Sequence, residues 1–356
     1  MAVVTTSQRV WVLRALSERL SLRLPVVALL VWLSLMVALT AVIAVSLTLG
    51  SYDLGLGDVW AVLTGTETAR QKVVVVWEFR FPRALVSALV GALLALSGAT
   101  LQNVTRNGLA DPSLVGISQG AGLAVVALTI VWPDQIGTLR PWVALAGSLT
   151  VAAIIQALSW NRRGGSSIRF ILMGIGLAAF ISASTSVLMT YGQIDRAMSA
   201  LAWLSGSINA ANWSDVRTLT AWTLVLIPAL MVFSRAMAAQ RMGEDAAVGL
   251  GVPVKHLRYV LISLAVAMAA IATAIVGPLA FVGLIAPHAA RRLARSGVGM
   301  HLMVSAALGA VLVALADLLG RVLFAPVQIP AGLVTAIIGV PFFIFLLYHA
   351  QGRSTF

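Results

Sequence analysis

Long apolar runs alternate with short polar links that carry arginine along almost the whole chain. Runs over 25–49, 84–104, 113–131, 142–160, 170–191, 218–233, 259–276, 302–320 and 330–348 are candidates for membrane helices. A span needs about 20 mostly apolar residues to cross a hydrocarbon layer of roughly 30 Å. Between the seventh run and the last two lies GPLAFVGLIAPH (277–288), apolar but too short for an ordinary span and bracketed by Pro278 and Pro287. Counted as a short helix it makes ten membrane segments. An even number leaves both termini on one side. The pattern predicts an all-α membrane protein.

The pair Gly277 and Pro278 predicts a break in a membrane helix. A break exposes backbone groups that lipid cannot satisfy, so it survives only against protein or along a watery path. Thirty glycines, many of them inside the apolar runs, suit close helix packing in lipid.

Composition agrees: 60% of the 356 residues are hydrophobic and 10% charged, against the roughly 25% charged usual in soluble domains. The run after Arg9, Arg14, Arg19 and Arg23 is long enough to span and stay, whereas a cleaved signal has an apolar region of about 7 to 15 residues. The net charge of +12 would suit a nucleic-acid partner if it formed a stripe. Instead it lies in the links. Sixteen of the 24 Lys and Arg residues fall on the side of the N-terminus, with only Glu18, Asp111, Glu244 and Asp245 among the acids. That side is expected to be cytoplasmic, and the basicity is a topology signal with no nucleic acid implied.

Several chemistries are excluded or weak. There is no cysteine, and His256, His288, His301 and His349 lack ligand spacing, so no metal site is assigned. A P-loop needs lysine directly after glycine, but Lys72 follows Gln71 and Lys255 follows Val254. An ion-coupled carrier would place carboxylates deep in the membrane. The chain offers Asp317, one turn from Arg321, which reads as an interfacial ion pair; Arg80 reads likewise with Glu78. Energy is then expected to enter through a partner, and the 234–258 loop is the docking candidate.

The stretches RFPRALVSALVGALLALSGATLQ (80–102), NGLADPSLVGISQGAG (107–122), MGEDAAVGLGV (242–252), GPLAFVGLIAPHAARR (277–292) and PAGLVTAIIGVPFF (330–343) resemble, in order, the permease subunits of the ABC type II importers for iron-siderophores, haem and cobalamin. WLSGSINAANW (203–213) is most similar to subunits of ferric-catecholate importers. The resemblance implies ten helices in two inverted five-helix repeats, with 1–24 a cytoplasmic segment and 25–356 one transmembrane domain. The repeat is faint here: Arg83 and Arg258 each open an apolar segment that ends at Gly98 or Gly277. It implies a second permease subunit, with a different chain favoured over a second copy. It also implies two cytoplasmic ATPase subunits, which carry ATP and Mg so that this chain holds no cofactor, and a periplasmic binding protein. The setting is a bacterial inner membrane.

Carried over by motif, Met242, Gly243, Glu244, Asp245, Ala246, Ala247, Val248, Gly249, Leu250, Gly251 and Val252 form the helix that couples to the ATPase. The resemblance places a cytoplasmic gate at Asn107, Gly108 and Leu109 with Ser166 and Ser167. The family's usual Asn-Pro-Leu is here Asn107-Gly108-Leu109, which loosens the backbone. Arg80, Arg83 and Arg321 match positions that meet carboxylates on the binding protein. The expected cargo is a ferric siderophore, with haem or cobalamin the alternative, moved by alternating access.

Overall fold

The computed structural model describes residues 10–15, 20–50, 52, 54–67, 69–113, 116–133, 136–159 and 167–351. An antiparallel ribbon of β1 (Val10–Ala15) and β2 (Leu20–Pro25) precedes α1 (Val26–Thr48). Two short helices, α2 (Leu56–Leu63) and α3 (Arg70–Val74), follow. A π-helical turn, Val75–Arg80, then runs into α4 (Phe81–Thr105). The rest of the bundle begins with α5 (Ile117–Val131), α6 (Ile136–Ser159), α7 (Ser167–Tyr191) and α8 (Ile194–Leu204). Next come α9 (Trp213–Val232), α10 (Ser234–Arg241) and α11 (Glu244–Gly249). The chain closes with α12 (Val254–Val276), α13 (Val282–Leu293), α14 (Val298–Val322) and α15 (Ala331–Gln351).

Each of the ten predicted segments has its helix. Among the described residues, seven helices are long and apolar enough to cross a membrane, with Arg70–Thr105 counted as one. The others are α5 and the apolar stretch Ala331–Leu346 of α15, both shorter, and α13 with 12 residues. Several helices start before hydropathy puts them, because polar first turns such as Trp213–Arg217 and Val254–Arg258 are helical before the apolar run begins.

The centre of the fold is α4. In its most apolar window 78% of residues are buried, against 11% in α1, which lies at the edge of the bundle. Small residues set this arrangement. Gly91 of α4 meets the backbone of Gly309 on α14, and Gly98 meets the backbone of Gly283 on α13, so closely that a Cβ at either position would overlap the facing carbonyl. Ser97 donates to the Ala265 carbonyl of α12 at 2.6 Å. Lipid tails are as apolar as leucine, so close backbone approach and such hydrogen bonds, rather than exclusion of water, hold these helices together.

Candidate functional site

The predicted break lies between α12 and α13. Gly277 ends α12 at φ 79°, a left-handed value that glycine adopts without the strain a side chain would meet. A Cβ there would also run into the Trp203 carbonyl. Residues 277–281 are not helical, and Phe281, at φ 67°, opens α13 with its ring against Gly339 of α15. At the break Ser207 N–H donates to the Val276 carbonyl at 2.8 Å, and beside it Gly332 N–H donates to the Gly206 carbonyl at 2.9 Å. The C-terminal ends of α8 and α12 thus meet the N-terminal end of α15, with their dipoles opposed favourably.

Pro287 does not end the short helix. It lies inside α13, which continues to Leu293. A proline has no N–H for the carbonyl four residues earlier; that carbonyl, on Gly283, accepts instead from Gln102 Nε2 at 3.1 Å. The tolerance for Pro287 is therefore supplied from α4.

Beside the break is a cavity of about 240 Å³ lined by Ser118, Gln119, Ser182, Thr185, Ser186 and Pro278 among others. Its polar lining is neutral. Thr185 returns its hydroxyl to the Ile181 carbonyl at 2.9 Å, whereas the buried Gln119 Oε1 has no partner among the described residues. A set of hydroxyls and an amide at a helix break can pass a polar solute without trapping a charge.

The predicted gate turn follows α4. Asn107 Oδ1 accepts from Leu109 N–H at 2.9 Å, an Asx turn, and Asn107 and Gly108 are exposed. Ser167 is the first residue of α7, and Ser166 lies outside the described residues, so no packing of the two against the turn is stated. The structure adds residues that the sequence reading missed. Arg291 of α13 bonds Gln102 Oε1, and its Nη2 would lie 3.8 Å from a Cβ on Gly108. Asp111, which the charge count treats as a cytoplasmic loop acid, is buried: its Oδ1 accepts from Ser113 N–H at 2.8 Å, and its Oδ2 faces the first turn of α13 at Gly283. A negative group suits that helix end. The available signal was a glutamine at the end of an apolar run.

The predicted coupling segment forms α11 with Glu244 and Asp245 in its first turn, and Glu244 is 3.6 Å from Arg258 Nη2 at the start of α12. Ala247 is buried and fixes the helix against its neighbours. Met242, Val248 and Leu250 are 71%, 59% and 64% exposed, outside any membrane span.

The three arginines of the opposite end are 5%, 7% and 7% exposed at Arg80, Arg83 and Arg321. Arg83 holds Asp317 bidentately and reaches Asn209 Oδ1 at 2.8 Å and Gln328 Oε1 at 3.0 Å. Arg80 donates to the carbonyls of Leu47, Thr48 and Tyr52, and Arg321 to the carbonyl and hydroxyl of Ser46. The partners expected from sequence, Glu78 and Asp317 one turn from Arg321, are replaced by these. Guanidinium groups committed within the chain do not present themselves to a partner's carboxylates in this conformation.

The sequence pattern of the FecCD transport family matches residues 36–349. The chain belongs to the FecCD transport family. Among curated FecCD-type relatives, the achromobactin transport system permease protein of Dickeya dadantii is 38% identical over 302 residues, 83% of this chain and 86% of that protein. The iron(3+)-hydroxamate import system permease protein of Bacillus subtilis is 38% identical over 320 residues, 88% and 95%. The ferric enterobactin transport system permease protein of Escherichia coli is 34% identical over 306 residues, 86% and 91%. Identity therefore does not single out the catecholate group to which the 203–213 stretch pointed. Among solved structures, a metal-chelate type ABC transporter in an inward-facing conformation matches with TM-score 0.78 and 27% identity over 90% of this chain and 99% of that one. This FecCD chain has the ABC type II permease fold.

Proposed function

We propose that the chain is the permease subunit of an ATP-driven importer of ferric siderophores, set in a cytoplasmic membrane with both termini inside. The observation that carries this reading is α11. A six-residue helix with one exposed apolar side chain on it and two flanking it, in a chain without a P-loop, is a surface for the partner that hydrolyses ATP. ATP and Mg belong to two such ATPase subunits. Substrate comes from a periplasmic binding protein, and a second permease, most simply a different chain, completes the path. Relatives named for achromobactin, hydroxamate and enterobactin transport support the ferric siderophore class rather than one chelate.

In this reading the 242–252 segment moves with the ATPase, the break at Gly277 and Pro278 and the neutral cavity line the path, and the turn at Asn107–Leu109, with Ser166 and Ser167, closes it on the cytoplasmic side. Arg80, Arg83 and Arg321 act by holding the outer surface in shape for the binding protein. The test is deletion of this chain in its host under iron limitation, with and without a plasmid copy. Uptake of radiolabelled ferric siderophore should be lost and then restored. Undiminished uptake after deletion would contradict the proposal.

A further inference from the structure

Two arginines join the coupling segment to the gate turn. Arg106 closes α4 at φ 52°, ψ 27°, a left-handed position that commonly falls to glycine. An arginine there points to a task for the side chain. Its Nη2 donates to the Gln240 carbonyl of α10 at 3.1 Å. Next to it, Arg241 spans back: with the Asn103 amide oxygen turned toward the guanidinium, Nε donates at 2.7 Å and Nη2 at 3.2 Å. The last turns of α4 and α10 are thus cross-tied twice in opposite directions. Met242, the first residue of the coupling segment, follows Arg241, and Asn107, the first of the gate turn, follows Arg106. On its other side the end of α4 is tied to α13 by Gln102 with Gly283 and Arg291.

We infer that Arg106 and Arg241 are positioning residues that carry the displacement of α11 to the gate turn. The inference rests on the importer reading above. The acceptors are an amide and a backbone carbonyl, and among the described residues neither arginine has a carboxylate partner. Such bonds set geometry without a buried ion pair that must be broken as the two ends move together.

The experiment uses the complete complex in liposomes and compares wild type with Arg106→Gly, Arg106→Lys and Arg241→Ala. Glycine suits the left-handed position, so Arg106→Gly should fold and co-purify with the ATPase as well as wild type. Uptake per ATP hydrolysed should fall at least tenfold in Arg106→Gly and Arg241→Ala, and Arg106→Lys, which can still reach the Gln240 carbonyl, should recover part of it. The natural absence of cysteine also allows spin labels at Asn107→Cys and Gly249→Cys alone. Their separation should change sharply on ATP binding in wild type and spread broadly with Arg106→Gly. Unchanged uptake per ATP, or equal losses of assembly, hydrolysis and uptake, would overturn the relay and leave the importer reading standing. A wild-type complex that takes up nothing with ATP would overturn the importer reading itself.

Discussion

Arg83 and Asp317, 234 positions apart in sequence, form a bidentate ion pair in which the side chains are only 9% and 3% exposed. The pair fastens the start of α4 to the end of α14 at the depth where Arg80 and Arg321 are also buried. Arg321 stands close enough to feel the charges of Arg83, Asp317 and Arg80. Arg80 also donates to the carbonyls of Leu47, Thr48 and Tyr52, and Arg321 to that of Ser46.

Asp317→Leu should accordingly destabilise the chain by about 3–5 kcal/mol, the usual cost of stranding one partner of a buried pair. Asp317→Leu combined with Arg83→Met should recover much of the loss. The check is thermal unfolding in detergent. Equal melting temperatures for wild type and Asp317→Leu would contradict the role given to the pair. Where melting falls as expected, loss of uptake in an Asp317 variant reports folding and does not identify a proton carrier.

The contact of Gly91 with Gly309 predicts a second stability effect. Gly91→Val drives a branched side chain into a facing backbone that cannot yield, and should cost at least the about 1–3 kcal/mol typical of overpacking. Gly249→Ala, with nothing within 4 Å of the new methyl, should change stability by less than about 0.5 kcal/mol. Melting of the two purified variants separates them.

Gln102 and Pro287 form a testable compensation. Gln102→Leu leaves the Gly283 carbonyl buried without a donor, at a cost of about 1–3 kcal/mol. Pro287→Ala restores an N–H four residues on, so Gln102→Leu should cost less in its presence. Strict additivity in the double-mutant cycle would show that the carbonyl is satisfied in another way.

For the docking surface, Leu250→Glu should leave melting unchanged, because the side chain is 64% exposed, yet weaken association with the ATPase by at least tenfold. Gly251→Trp acts differently: at φ 79° any side chain strains the turn, so the shape of the segment changes along with its surface. Co-purification of the ATPase with each variant is the measurement. Full recovery with both would remove this segment from coupling.

The ten segments were legible because each is a run of apolar residues of sufficient length, and the break at Gly277 because glycine and proline interrupt one such run. Four features were not legible. The helices α8 and α10 carry too many polar residues for hydropathy to mark them, though α8 is amphipathic. Residues 110–112 turn inward and bury Asp111, which a charge count must treat as exposed. The pairing of Arg83 with Asp317 depends on α4 crossing α14, and local spacing favoured Arg321, one turn away. Sequence placed Pro287 at a helix end because it could not show Gln102 supplying the missing donor.

In the proposed function energy enters through a partner at α11 and not through the membrane segments. The most direct measurement is uptake of ferric siderophore into liposomes that hold the chain with its second permease and ATPase, with binding protein outside and ATP inside. Uptake should require enclosed ATP, stop with a non-hydrolysable analogue, and be absent when proton or sodium gradients replace ATP. Uptake driven by either gradient without the ATPase would contradict the account.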